Sequence, residues 1–272
     1  MSLAIIFKGA EGIVLAADSR VTLSAFKEHE GYKEIIPATF DNATKLLQVN
    51  GQDYIGAVTY GLGAIGIRQP RTAHSFLPEF EAHLKEKKDK EPRLSVEGFA
   101  KELNKFFLNQ WKSLMPEEFD GPPIIFLVGG YDEDAPYGRV FEVKVPGSDK
   151  PVEQQKDIFG ITWGGQLEYI TRLIKGFDPN LIPFVENELD LEKDKKDKLI
   201  AFLDGLNLPI PYPFLPLQDC VDLSMLLIKT TMEIQSKMVG VRGVGGAIDL
   251  ATITRTDGFT PIQQKKISGL QD

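Results

Sequence analysis

Apolar residues open the chain in two short blocks. Leu3 to Phe7 and Ile13 to Ala17 are largely apolar and Gly9 to Gly12 punctuates them, which predicts two strands joined by a turn. Lys45 to Val49 and Tyr54 to Thr59 predict two more strands. A helical stretch is expected over about 64 to 87, with Pro70 and Pro78 as breaks. Ser95 reads as an N-cap, because Val96, Phe99, Leu103, Phe106, Phe107 and Leu114 then recur at helical spacing. A loop over 116–123 leads to a hairpin of Ile124–Val128 and Arg139–Val145. Ile158–Trp163 predicts a strand, and Gly165–Lys175 a helix that stops near Gly176. A long helix spans about 219 to 237, with Leu223, Leu226, Leu227, Thr230 and Ile234 on one stripe. Ile248–Thr254 is the expected final strand.

Short turns join most of these strands, so the sheets should be mainly antiparallel. Strands such as Ile124–Val128 are apolar on both faces and need cover on both sides. Two antiparallel sheets packed together, each with a helix pair outside, meet that need. The expected class is α+β, a four-layer α/β/β/α sandwich. It forms a single domain over 1–272, with insertions near 24–40 and 179–216.

Composition narrows the function. The 272 residues are 42% hydrophobic and 26% charged, enough for a sizeable core. A net charge of −8 argues against nucleic acid or an anionic membrane as partner. The basic stretches 85–90 and 193–198 are interleaved with acids and read as solvated surface. One cysteine, Cys220, allows no disulfide within the chain, which fits a reducing, cytoplasmic setting. His29, His74 and His83 show no metal-ligand spacing, so neither a metal nor a cofactor is expected. No signal peptide or membrane-length apolar run is visible.

One motif misleads. Gly61-Leu-Gly63-Ala-Ile-Gly66 matches the G-x-G-x-x-G of dinucleotide-binding turns. A crossover strand ending in an acidic residue should follow its helix, and a second helix follows instead. Small residues that permit a tight turn, or a backbone N–H facing a site, are the other readings.

The first two strands hold the candidate chemistry. Paired as a hairpin, they bring Ser2 near Asp18. Lys8 opposite Gly12 places Ser2 against Asp18, whereas Lys8 opposite Ile13 places Ser2 against Ser19, and the sequence leaves both registers open. Lys45 opens the third strand beside this corner. The segment Ile13-Val-Leu-Ala-Ala-Asp-Ser-Arg20 resembles the "VVLAADSR" segment of proteasome β-type subunits, which are N-terminal nucleophile (Ntn) hydrolases. Val128-Gly-Gly-Tyr-Asp132, Gly138–Val143, Gly245–Thr254 and Asp257-Gly-Phe259 resemble further motifs of that family, in its order.

The resemblance implies a hydrolase of peptide or amide bonds with the same sandwich fold. Counting back from Asp18, the family's catalytic threonine falls on Ser2, and Lys45 matches its catalytic lysine. Ser2 would be the nucleophile, its α-amine the base, Lys45 the cation and Asp18 the holder of Lys45. Gly61 would supply an oxyanion N–H, or Tyr60 if the alignment slips by one. Arg20, Val58 and Tyr60 are the candidate substrate contacts. Met1 must be removed to free the amine, and Ser2 is small enough for routine removal. A ring-like homo-oligomer is implied; the sequence does not reveal any ATPase partner. The family's supporting serine and aspartate should fall near Gly164 and Val241, where both side chains are missing. The link of 27 residues from Asp18 to Lys45 is also longer than usual in the family. A non-catalytic subunit of the same fold and an amidase for small molecules are the alternatives.

Overall fold

The computed structural model describes residues 2–29, 32–86, 93–147, 150–188, 192–267 and 269, with only the backbone described over 24–37. Met1, 87–90 of the first basic stretch and the end of the expected 64–87 helix lie outside the described residues.

Two five-stranded antiparallel sheets form the frame. The first holds β1 (Leu3–Lys8), β2 (Ile13–Asp18), β10 (Gly160–Gly165), β11 (Ile248–Thr254) and β12 (Gly258–Gln263), ordered β10-β1-β2-β11-β12. The second runs in chain order through β5 (Leu46–Gln48), β6 (Ile55–Gly61), β7 (Ile124–Gly130), β8 (Arg139–Val145) and β9 (Val152–Gln154). Every residue of β1 and β2 is buried, as their two-faced apolarity requires.

Three apolar clusters show what covers each sheet. One draws on both sheets, including Ile6, Leu15 and Ala251 from the first and Val58, Leu127 and Val140 from the second. A second joins the β5–β8 sheet to α1 (Leu77–Glu86) and α2 (Val96–Leu114) through residues such as Phe80, Phe107 and Phe126. The third joins β1, β2 and β11 to α3 (Glu168–Lys175) and α6 (Leu217–Ser236), with Phe7, Ile170 and Ile228 among its members. Fully burying a phenylalanine or leucine side chain is worth about 1.5–3 kcal/mol, so these clusters carry the stability of the frame.

Local chemistry explains most element ends. The Ser95 side chain accepts from Gly98 N at 3.1 Å and starts α2. Gly176, at φ 78°, stops α3 in the left-handed conformation that glycine tolerates best.

Several expectations change. Residues 64–72 are not helical, because Gly61 and Gly66 turn at positive φ (87° and 104°) and Ile65 and Arg71 form an antiparallel bridge. Pro70 also disfavours a helical residue before it, and the helical backbone begins only with a 3-10 turn at Ala73–Phe76. The apolar stripe of α6 is rotated from the expected one: Leu226 is exposed, while Cys220, Ser224, Leu227, Ile228 and Thr231 face inward. Ser224 and Thr231 can be buried because their hydroxyls donate to the carbonyls of Cys220 and Leu227, four residues back. Pairing with β1 starts β10 at Gly160 rather than Ile158. β12 follows the expected final strand, and Pro261 sits on it because it is an edge.

The 24–40 insertion is most of a hairpin, β3 (Val21–His29) and β4 (Tyr32–Phe40), that pairs only with itself among the described residues. The 179–216 insertion carries α4 (Leu181–Glu188) and α5 (Lys193–Asp204). Cys220 is fully buried and its thiol is pushed up to about 11, chiefly by burial.

Candidate active site

The β1–β2 register decides the geometry around Ser2. Ala4 pairs with Ala17 and Lys8 with Ile13, so of the two registers the one that puts Ser2 opposite Ser19 is adopted. Asp18 still reaches the start of β1, because its Oδ1 accepts from Leu3 N at 2.9 Å. The same oxygen accepts from Lys45 Nζ at 2.6 Å, while Oδ2 accepts from Arg20 N at 3.1 Å and Gly245 N at 3.0 Å. A fully buried carboxylate needs such a set of donors to offset its lost hydration. Asp18 thereby ties β1, β2, the approach to β5 and the turn before β11 into one corner.

Lys45 is held as firmly. It is 4% exposed, and its Nζ also donates to Arg20 O at 2.6 Å. Its backbone carbonyl accepts from Thr59 N at 3.0 Å, fastening it to β6. Burial pushes its amine below the ordinary lysine value, and Asp18 opposes that fall.

Ser2 is held in place. It is 4% exposed, and its carbonyl accepts from Gln166 N at 2.8 Å. Gly165 makes that approach sterically open: at φ 97°, a Cβ there would lie 1.9 Å from Ser2 O. Ser2, Lys45, Thr59, Tyr60, Val21 and Gly63 line a cleft of only about 20 Å³, room for one water molecule. Val21 narrows it, since its Cγ1 lies 2.6 Å from where a Cβ on Gly63 would stand.

No family model matches the chain. Among solved structures it is similar to a Gly-1 mutant of Anbu from Hyphomicrobium sp. strain MC1. That likeness has 16% identity and a TM-score of 0.56, over 98% of this chain and 88% of the other. The fold is shared with Anbu, a proteasome-like protein of the Ntn-hydrolase fold. At that identity the likeness speaks for a distant relationship in fold.

The structure brings Ser2, Asp18 and Lys45 into one corner and distributes the other candidates differently. Tyr60 lines the cleft; its hydroxyl donates to Glu142 Oε2 at 3.3 Å, and burial with Glu142 raises its pKa. Val58 is fully buried in the cluster between the sheets and does not line the cleft, whereas Thr59 and Tyr60, nearer the end of β6, do. Arg20 does not line the cleft. Its guanidinium is clamped by Asp41 at 2.6 and 2.7 Å and donates to Arg242 O at 3.2 Å. Gly61 ends β6 against Pro123 O, and the glycine on the cleft wall is Gly63.

The missing side chain at Gly164 has a steric cause. A Cβ there would stand 2.0 Å from Tyr60 Cζ, so the Tyr60 ring fills that space. Val241 lies exposed in the loop after α6.

Sequence reasoning missed a second acid–base pair. Asp249 on β11 is 2% exposed and binds Lys265, whose Nζ also donates to Ser19 Oγ at 3.2 Å. Ser19 is fully buried between the two pairs. Thr44, His74, Asp249 and Lys265 line a neighbouring cleft of about 580 Å³. Burial, then Lys265, holds His74 below its ordinary value. Among the described residues no cluster of His, Cys, Asp and Glu could hold a metal, and no helix is long and apolar enough to cross a membrane.

Proposed function

We propose that this chain is a proteasome-like Ntn hydrolase that cleaves peptide or amide bonds, with Ser2 as nucleophile once Met1 is removed. The carrying observation is the convergence of Ser2, Lys45 and Asp18 in one buried corner, with Ser2 and Lys45 lining the same cleft. The frame is read as the four-layer Ntn sandwich in a single domain. Cytoplasmic location and ring-like self-assembly belong to the same proposal.

In this mechanism the Ser2 hydroxyl attacks the substrate carbonyl while the freed α-amine takes its proton. An α-amine titrates near 7.7–8.0 and so accepts a proton close to neutrality. Lys45, held cationic against Asp18, stabilises the developing alkoxide. The backbone N–H of Gly63, on the cleft wall, takes the place expected of Gly61 and receives the oxyanion. The α-ammonium then protonates the leaving amine, and water hydrolyses the acyl ester.

A second reading is favoured by one observation. The cleft has room for about one water with Val21 packed against Gly63, as expected of a non-catalytic subunit of the same fold. Intact mass and amide hydrolysis separate the two. The proposal expects Ser2 at the N-terminus, with activity lost in Ser2→Ala and in Lys45→Ala. Retained Met1, or undiminished hydrolysis in both variants, refutes it. Light scattering tests assembly, and a monomer counts against a chamber.

A further inference from the structure

A second buried amine stands at the other end of β1. Lys8 is 6% exposed and lies six residues from Ser2, roughly 20 Å at the rise of a strand, so it takes no part in the chemistry at Ser2. Its Nζ donates to Gln155 O at 2.8 Å. That carbonyl is deliberately aimed. Gln155 sits at φ 49°, which few residues other than glycine adopt. Its side-chain amide holds it there by donating to Ile161 O at 3.1 Å and Thr162 Oγ1 at 3.4 Å. Gly160 leaves space for the amide, since a Cβ there would lie 2.9 Å from Gln155 Oε1.

What Lys8 lacks is a direct ion pair: Glu153 and Asp157 raise its pKa only from beyond contact, and burial outweighs them. Among the described residues no carboxylate lies within ion-pair distance of its Nζ. Glu153 is occupied by Arg139 through two contacts of 2.9 Å, and Arg139 also reaches Asp132 and Glu97. Asp157 is nearby but exposed, so solvent screens its field. A buried ammonium without a paired anion is costly, and burial accordingly pushes the Lys8 amine down. Lys8 faces a cavity of about 390 Å³ whose other walls include the charged Arg139, Glu153 and Asp157 and the apolar Tyr137, Ile158 and Phe159. Tyr137 and Phe159 meet edge to face with centroids 5.1 Å apart, and Ile158 is 59% exposed at the rim. The volume suits a small ligand, and pockets of this kind combine apolar walls with one or two fixed polar anchors.

We propose that this pocket binds a small carboxylic acid with an aromatic or aliphatic body, its carboxylate on Lys8 Nζ and its body against Tyr137, Ile158 and Phe159. The ligand brings an anion that can bond Lys8 Nζ directly, which Glu153, held by Arg139, and exposed Asp157 do not. The site is independent of the reading of Ser2.

The test is a titration of the full chain with 3-phenylpropionate, and with its neutral amide, followed by protein-observed NMR. The carboxylate should bind saturably at Tyr137 and Ile158. The amide and Lys8→Met should each weaken binding about tenfold or more, the equivalent of one lost charge-assisted hydrogen bond. Ile158→Asp should also weaken it, and Ser2→Ala should leave it unchanged. Should Lys8→Met fail to fold, the amide and Ile158→Asp decide the question. Absence of saturation up to roughly 10 mM, equal affinity for the amide, or full binding by folded Lys8→Met overturns the proposal.

Discussion

Two buried aspartate–lysine pairs stand on either side of Ser19, and their surroundings differ. Asp18 accepts from three backbone N–H groups besides Lys45, so it joins four stretches of chain at the cleft that holds Ser2. Among the described residues Asp249 accepts from Lys265 alone, through its backbone N at 3.0 Å and its side chain, and Lys265 adds a bond to Ser19. Lys45 is enclosed, whereas the Lys265 side chain keeps 15% of its surface exposed and looks into the larger cleft. The same two residue types thus make a corner of a site in one place and a fastening for the chain after β12 in the other. What separates them is not the ion pair but the three backbone donors that converge on Asp18, against one on Asp249, and the enclosure of Lys45.

Substitutions can break this contrast. The largest effect is expected at Ser2: Ser2→Ala should cut amide hydrolysis by about 10³-fold or more while leaving the thermal unfolding transition in place. Asp18→Asn should come next, because it leaves the Lys45 ammonium buried without its anion. A loss of about 3–5 kcal/mol in denaturant unfolding is expected, together with lost hydrolysis. Lys265→Met should cost about 1–3 kcal/mol, because Asp249 loses its charged partner, and should spare hydrolysis. Hydrolysis lost equally in Lys265→Met and Lys45→Met would erase the distinction between the pairs.

A packing change sharpens it further. Gly164→Ser should destabilise by about 1–3 kcal/mol, since the new Cβ meets the Tyr60 ring. Tyr60→Ala should absorb much of that cost in a double-mutant cycle. If the single change is neutral, the Tyr60 ring does not account for the missing side chain.

The smallest effect is in pH. Lys45 in the folded chain titrates below the ordinary lysine value of 10.5. Below its folded pKa both states hold the proton and its burial penalty is fully present. Between that pKa and 10.5 the unfolded chain binds more protons, so stability rises with pH and the penalty fades. Wild type should therefore gain stability relative to Lys45→Met as pH climbs through that window, as measured by urea unfolding. Asp41 behaves oppositely: Arg20 holds it below its ordinary 3.8, so its small, solvent-screened contribution is present above that pH and is lost as pH falls below it.

How legible each part was in the sequence follows from how local its cause is. β1, β2, α2 and the end of α3 were readable, because apolar spacing, Ser95 and Gly176 act within a few residues. Residues 64–72 were misread as helix because a G-x-G-x-x-G spacing does not say that Gly61 and Gly66 adopt positive φ. β12 and β9 were missed because edge strands need little apolar patterning, and Pro261 is tolerated only there. The α6 stripe was misplaced because buried Ser224 and Thr231 look polar until their hydroxyls find carbonyls in their own helix. At the candidate site, motif spacing pointed to Ser2, Asp18 and Lys45. Val58 went to the core and Arg20, between β2 and β3, to Asp41, because both fates depend on partners distant in the chain.

By itself the sequence determined which segments are strands and helices where one face or both must be buried, and that a serine, an aspartate and a lysine stand at the ends of adjoining strands. It left the hairpin register open by one residue, because both registers bury apolar side chains equally well. Only the tertiary structure chose between them. Pairing with β10 on one side and β11 on the other holds Ser2 opposite Ser19, and the backbone of Gly245 and Leu3 closes on Asp18. Donors that come from residues distant in the chain are invisible to any local pattern, and here they turn a strand-end carboxylate into the centre of a corner.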